Sequence, residues 1–189
     1  TTGLLRRFGY RVEEFGFAQT VDSIPADIRR MGDIMGAADR AEQMASAFEK
    51  EIAGHRAATC EPKPSSLAWD QNGITAGEGT LADSVLEVAD FTNLATETGY
   101  SGMTPFPLEL IVTHRPDVVI VRDPISDAPA LADQFVSHPA LAALQKVRIG
   151  SFVPSGAWAC GGPFVIEAVR ALRKLRDEIA ACRPTEPHS

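Results

Sequence analysis

Cysteine is scarce in this 189-residue chain: Cys60, Cys160 and Cys182 stand far apart, with no CxxC and no Cys/His spacing. That excludes a zinc framework and allows one disulfide at most, so small buried thiols are expected. No apolar run reaches eighteen residues, and no segment reads as a membrane-crossing helix. Basic residues are outnumbered, 18 Lys and Arg against 25 Asp and Glu for a net charge of −7. Without a basic stripe interleaved with aromatics there is nothing to replace phosphate counterions, which excludes nucleic acid as a partner. The sequence also has no GxGxxG, no Gly-Lys-Ser/Thr and no HExxH, and Pro154-Ser155-Gly156 is not a GxSxG elbow. His55, His114, His138 and His188 therefore have no partners for catalysis, and the scatter of His and carboxylates forms no metal cluster. No catalytic residue, no metal and no cofactor is expected.

What is present reads as an α/β protein. A 44% hydrophobic content over this length supports one core with a helical appendage. The order from Trp69 to Val121 is strand, Gly-rich turn, helix, irregular loop, short helix, strand, which is a crossover unit of a mostly parallel sheet. Ahead of it, Leu4 to Phe8 reads as a helix end closed by Gly9, with a short strand near Val12–Phe15. Asp22 or Ser23 then starts a helix with Pro25 in its first turn and Ile24, Ile28, Met31, Ile34 and Met35 on one face. After Gly36 a second helix runs from about Ala37 to His55, with Ala41, Met44, Ala45, Phe48 and Ile52 at helical spacing. Two long helices with hardly a turn between them read as a rigid strut, and their Met and Phe stripe as packing surface.

Further strands are expected at Leu67–Trp69, Val118–Val121 and Val147–Ile149, all in one sheet with Val12–Phe15. Helices are expected at Thr80–Ala89, Ala130–Val136, Pro139–Leu144 and Phe164–Ala181. Gly77-Glu78-Gly79 reads as a tight entry to the helix at Thr80 rather than a phosphate cradle. Pro184 to Ser189 reads as a frayed tail.

Several of these segments together carry a resemblance. They are Asn72-Gly73-Ile74-Thr75-Ala76-Gly77 to Thr80, Val85-Leu86-Glu87-Val88, Asn93-Leu94, Glu109 ahead of Arg115-Pro116-Asp117-Val118-Val119-Ile120, and Trp158 with Gly162-Pro163 before the final helix. In order and spacing this resembles the C-terminal lobe of the substrate-binding proteins of ABC importers, in the subgroup serving vitamin B12, ferric siderophores and haem. The resemblance implies a Rossmann-like lobe over residues 59–189, an interdomain helical linker over 21–58 and a remnant of a first lobe over 1–20. It also implies a periplasmic or lipid-tethered protein that captures a large chelate (cobalamin, a ferric siderophore or haem) and docks to an inner-membrane ABC permease. Binding rather than catalysis follows.

Open α/β sheets form their crevices at the ends of their strands. Trp69, Tyr100, Met103, Phe106 and Trp158 fall on or beside such loops, and flat or soft apolar groups suit a large macrocycle. Glu109, at the start of a short helix where a carboxylate is favoured, resembles the glutamate with which relatives dock to a permease arginine. Apolar groups on the strut and at Leu4, Leu5 and Phe8 would be left without a cover, so self-association is expected. The alternative reading is an isolated flavodoxin-like or Rossmann-like enzyme domain that binds a nucleotide or flavin.

Overall fold

In a computed structural model of the chain, the described residues are 2–18, 20–59, 61–70, 73–121, 139, 144, 146–154, 156–158 and 160–179. The element order is α1 (Thr2–Arg7), α2 (Ile24–Met35), α3 (Ala38–Ala57), β1 (Ser65–Ala68), β2 (Ile74–Ala76), α4 (Leu81–Val88), β3 (Thr92–Asn93) and α5 (Leu94–Glu97). Then come β4 (Met103–Pro105), α6 (Leu108–His114), β5 (Val118–Ile120), β6 (Arg148–Gly150) and α7 (Val165–Ile179). Four strands form a parallel sheet in the order β3-β1-β5-β6, with Leu67 opposite Val119 and Val119 opposite Ile149. Alternation along β1 and β5 sorts the core into two layers. Val118 and Ile120 face a cluster built from α4, α7 and the helices α2 and α3, around Val85, Leu86, Phe48, Val169 and Leu172. Leu67, Trp69 and Val119 face a second cluster with Leu94, Phe106 and Ile111. Asp117 fixes the start of the central pair, accepting hydrogen bonds from the Ser65 backbone N–H at 2.8 Å and the Ser65 hydroxyl at 3.0 Å.

Three of the four expected strands thus share a sheet, and the fourth does not exist. Val12–Phe15 forms no strand, because α2 rather than a strand lies beside it. Arg30 on α2 donates to the Glu14 carbonyl at 3.0 Å, and its guanidinium lies 4.5 Å from the centre of the Phe15 ring. The structure adds an antiparallel pair in segments whose sequence reads as loop: β2 and β4 pair Ile74 with Pro105 and Ala76 with Met103.

The expected rigid strut is a hairpin. Gly36 closes α2 in the left-handed conformation (φ 67°), which costs a residue without a Cβ little, and the chain folds back so that α3 packs along α2. Arg29 spans the two helices, donating to Glu42 at 2.7 Å and to Glu49 at 2.8 Å. Arg170 of α7 holds Glu51 of α3 at 2.6 Å, which fastens the hairpin to the lobe. The helix expected over Ala130–Val136, residues 140–143 of the one expected over Pro139–Leu144, the tail from Pro184, and Cys60 and Cys182 lie outside the described residues. Cys160 is an exposed free thiol, contrary to the buried thiol expected, because it sits in the loop that leads into α7.

Candidate functional site

β1 and β5 are parallel neighbours and end on the same side of the sheet. After Ala68, Trp69 makes a bridge to Thr75, and Asp70 opens a tight turn closed by a hydrogen bond from its N–H to the Ile74 carbonyl at 2.7 Å. The buried Thr75 hydroxyl donates back to the Ala68 carbonyl at 2.7 Å, so the turn is pinned to the strand. The Gly-rich segment then runs beside residues 100–102. A Cβ on Gly77 would collide with the Tyr100 carbonyl; the Glu78 N–H donates to the Tyr100 carbonyl at 3.0 Å, and the Glu78 carbonyl accepts from the Gly102 N–H at 2.9 Å. Close backbone approach is therefore the reason for glycine at 77. Thr80 caps α4, its hydroxyl oxygen accepting from the Asp83 N–H at 3.2 Å. Asp83 accepts in turn from Asn93 Nδ2 and Thr96 Oγ1, both at 2.8 Å, and Asn93 also donates to the Ala76 carbonyl at 2.9 Å. This network locks α4, β2 and α5 together, a role for Asn93 that sequence inspection missed.

These elements enclose a groove of about 470 Å3 at the carboxyl ends of β1 and β5 and the amino end of α4. Trp69, Met103 and Trp158, all selected from sequence, line it together with Ile74, Leu81 and Ile120. Trp69 forms its floor: only 2% exposed, it packs in the second core cluster and aims its indole N–H at the Phe106 carbonyl, 3.4 Å away. Met103 stands at the rim, 63% exposed on β4, and Trp158 is half-buried against the first cluster. Tyr100 and Phe106 are not part of the groove. Their rings pack on each other at 4.9 Å, and Phe106 is 3% exposed, so both support the floor from the core side. Phe17 and Asp70 are among the lining residues that escaped the sequence reading. Phe17, 94% exposed, borders the groove from the N-terminal arm, and Asp70 lies at its lip. Proximity of residues 17 and 158 is a tertiary fact with no local signal; Asp70, beside Trp69, could have been flagged by its position at a strand end.

Glu109 lies in the first turn of α6, exposed, and among the described residues its carboxylate makes no ion pair. A second apolar groove, of about 550 Å3, lies along the α2–α3 hairpin between Phe15, Ile28, Met31, Met35 and Met44. The Met stripe expected as packing is thus largely solvent-facing, whereas Ile24, Ala45, Phe48 and Ile52 are buried. Among the described residues no group of His, Cys, Asp and Glu could hold a metal, and no helix is long and apolar enough to cross a membrane.

A sequence-family profile described as periplasmic binding protein matches residues 6–153. The chain belongs to the periplasmic binding protein family. It is a family of binding proteins for transport rather than of enzymes, and the flavodoxin-like or Rossmann-like enzyme alternative falls with that assignment. Solved structures share the fold. One is the periplasmic heme-binding protein RhuT of Roseiflexus sp. RS-1 (TM-score 0.75, 23% identity, covering 95% of this chain and 70% of that one). Another is the periplasmic heme-binding protein HutB of Vibrio cholerae (TM-score 0.77, 18% identity, 94% and 70%). A third belongs to an ABC-type Fe3+-hydroxamate transport system of Saccharomonospora viridis DSM 43017 (TM-score 0.65, 21% identity, 84% and 56%). The chain therefore spans between 56% and 70% of the length of these proteins. No match was found among curated proteins.

Proposed function

We propose that this chain is the ligand-capturing part of a substrate-binding protein of an ABC importer, taking up a large metal chelate of the haem, ferric siderophore or cobalamin kind. The observation that carries the reading is the groove at the carboxyl ends of β1 and β5, about 470 Å3, with two tryptophans and a rim methionine. Such a surface offers area and polarisability to a flat or bulky chelate and presents no set of reacting groups. Fold neighbours that carry heme or Fe3+-hydroxamate in their names support the ligand class. The protein works in the periplasm or tethered outside the inner membrane, and Glu109 is the contact to a permease arginine, in keeping with its exposure on a short helix. The residue spans 1–20, 21–58 and 59–189 act as first-lobe remnant, linker and ligand lobe. The solvent-facing Met31, Met35, Leu4, Leu5 and Phe8 provide a face for self-association of this chain.

Titrating the chain with haem, ferrichrome and cyanocobalamin while following tryptophan emission tests the reading, since Trp69 and Trp158 are the only tryptophans and both line the groove. Saturable quenching by at least one chelate is expected, and its absence with all three refutes it. Sedimentation over a wide range of concentration tests the association, which a concentration-independent monomer would refute.

A further inference from the structure

We propose that the Met103 thioether bonds the iron of a bound haem from an axial position, which makes haem, of the three chelate classes, the one this groove takes. The proposal rests on the chelate-binding reading above and names the chelate. Met103 stands on a fixed stretch of backbone. β4 pairs with β2, Met103 opposite Ala76, and just before it the Gly77 N–H donates to the Gly102 carbonyl and the Gly102 N–H to the Glu78 carbonyl, each at 2.9 Å. Just after it, the Phe106 N–H donates to the Gly73 carbonyl at 2.8 Å. The main chain is thus held on both sides of Met103, while its side chain lines the groove and is 63% exposed. A fixed backbone with an unbranched, adaptable side chain lets a sulfur reach a metal at small cost in ordering.

A bond to a metal needs a lone pair, and few of the described lining side chains have one to give. The indoles of Trp69 and Trp158 offer only an N–H. The Thr80 hydroxyl donates to the Gly77 carbonyl at 2.8 Å and accepts from the Asp83 N–H at 3.2 Å. That leaves the Met103 thioether and the Asp70 carboxylate. A carboxylate is a hard donor that suits hard cations. A thioether is soft and suits the iron of a porphyrin, most of all in its ferrous state. The chelates then separate by what they leave open. A siderophore surrounds its iron with its own oxygens, and cobalamin brings its own axial groups to cobalt. Haem leaves axial positions to protein atoms, and its flat face suits the apolar floor at Trp69 and the wall at Trp158.

Protoporphyrin IX has the ring and carboxylates of haem without the iron, so it isolates the metal bond. Tryptophan quenching of the full chain, with dithionite present and air excluded, should show haem bound about 10-fold or more tightly than the metal-free ring, the gain expected from one added bonding contact. Met103→Leu keeps the bulk of the side chain and should abolish that preference. Met103→His, which offers iron an imidazole instead, should restore it and give the absorption spectrum of an imidazole-ligated haem. Equal affinity of the wild type for the two rings overturns the proposal, and that result needs no variant. So does loss of the preference in Asp70→Asn but not in Met103→Leu, which would assign the bond to the carboxylate. Quenching by ferrichrome or cyanocobalamin with none by haem overturns the proposal and leaves the chelate reading standing. No quenching by any of these chelates refutes both.

Discussion

The two ends of β1 are built on opposite plans. At its carboxyl end, Ala68, Trp69 and Asp70 open into an apolar groove reached from solvent. At its amino end, Lys63, Asp90, Arg173 and Arg176 form a closed ionic knot. Asp90 is 3% exposed and meets Arg176 at 2.7 Å, Lys63 at 3.5 Å and Arg173 at 3.8 Å. Both arginines also donate to the Ala58 carbonyl at the end of α3, Arg176 at 2.8 Å. One aspartate thus joins α4, α7, the hairpin and the approach to β1. Asp90 sits just past α4 at φ 67°, a left-handed position where glycine would be the easier residue. Its carboxylate is the reason for the exception: the pairing with buried guanidinium groups outweighs a backbone cost of order 1–3 kcal/mol. Burial, reinforced by the neighbouring Arg176 charge, holds the Arg173 guanidinium below its ordinary pKa, which shows how dependent that cluster is on its carboxylate. The contrast teaches that buried charge pairing is concentrated at one end of the strands, while the other end, held by neutral and capping hydrogen bonds, leaves apolar surface exposed.

Breaking the knot should have the largest effect. Asp90→Ala strands buried cations and should cost about 3–5 kcal/mol, read as a lowered urea midpoint at an unchanged slope. A loss under about 1 kcal/mol would mean that the arginines find water instead, and the contrast between the ends would lose its basis.

Docking comes next. If Glu109 meets a permease arginine in a desolvated pair, Glu109→Ala in the complete binding protein should weaken transporter binding by about 2–5 kcal/mol. It should leave urea stability and chelate affinity unchanged, and Glu109→Lys should be worse. Normal uptake by the alanine variant would exclude the role.

Changes at the groove end should be smaller and should separate binding from stability. Met103→Ser and Phe17→Ser alter exposed side chains, so stability should move by about 0.5 kcal/mol or less. Chelate affinity should nonetheless fall several-fold for each. A stability loss without an affinity loss would assign these residues to packing and remove them from the site.

The smallest effect concerns acid. Arg29 holds the Glu42 carboxyl at about 2, down from 4.5, chiefly by hydrogen bonding. Asp22 is lowered by Arg56 and Glu51 by Arg170 in the same way. Because these folded-state values lie below the unfolded ones, their contribution is complete above about pH 4.5 and declines as pH falls toward 2. Thermal melts of Arg29→Gln should converge on those of the wild type as the pH is lowered through that window, and should do so with a smaller gap in high salt.

Much of the lobe was legible in the chain itself, since helices and buried strands carry their own periodicity. The run Leu81–Val88, the apolar triplet Val118–Ile120 and the amphipathic Val165–Ile179 were placed to within a residue or two at most of their ends. Trp69, Met103 and Trp158 could be chosen because aromatic or soft apolar residues beside strand-end loops are conspicuous. Tyr100 and Phe106 had the same local appearance, yet they turn into the core.

Sequence alone determined where α2, α3, α4 and α7 and the strands β1, β5 and β6 form, because turn chemistry and hydrophobic spacing act over a few residues. It also carried, in the order of its motifs, the resemblance to the binding-protein family that the match over residues 6–153 shows. Tertiary structure alone decided that Val12–Phe15 forms no strand beside α2, that the two long helices fold back at Gly36, and that β2 finds β4. The same holds for Phe17 and Trp158 lining one groove and for Asp90 gathering three cations. Each of these depends on which distant surface is free to pack, pair or neutralise, and that choice is made by burial and charge across the assembled fold.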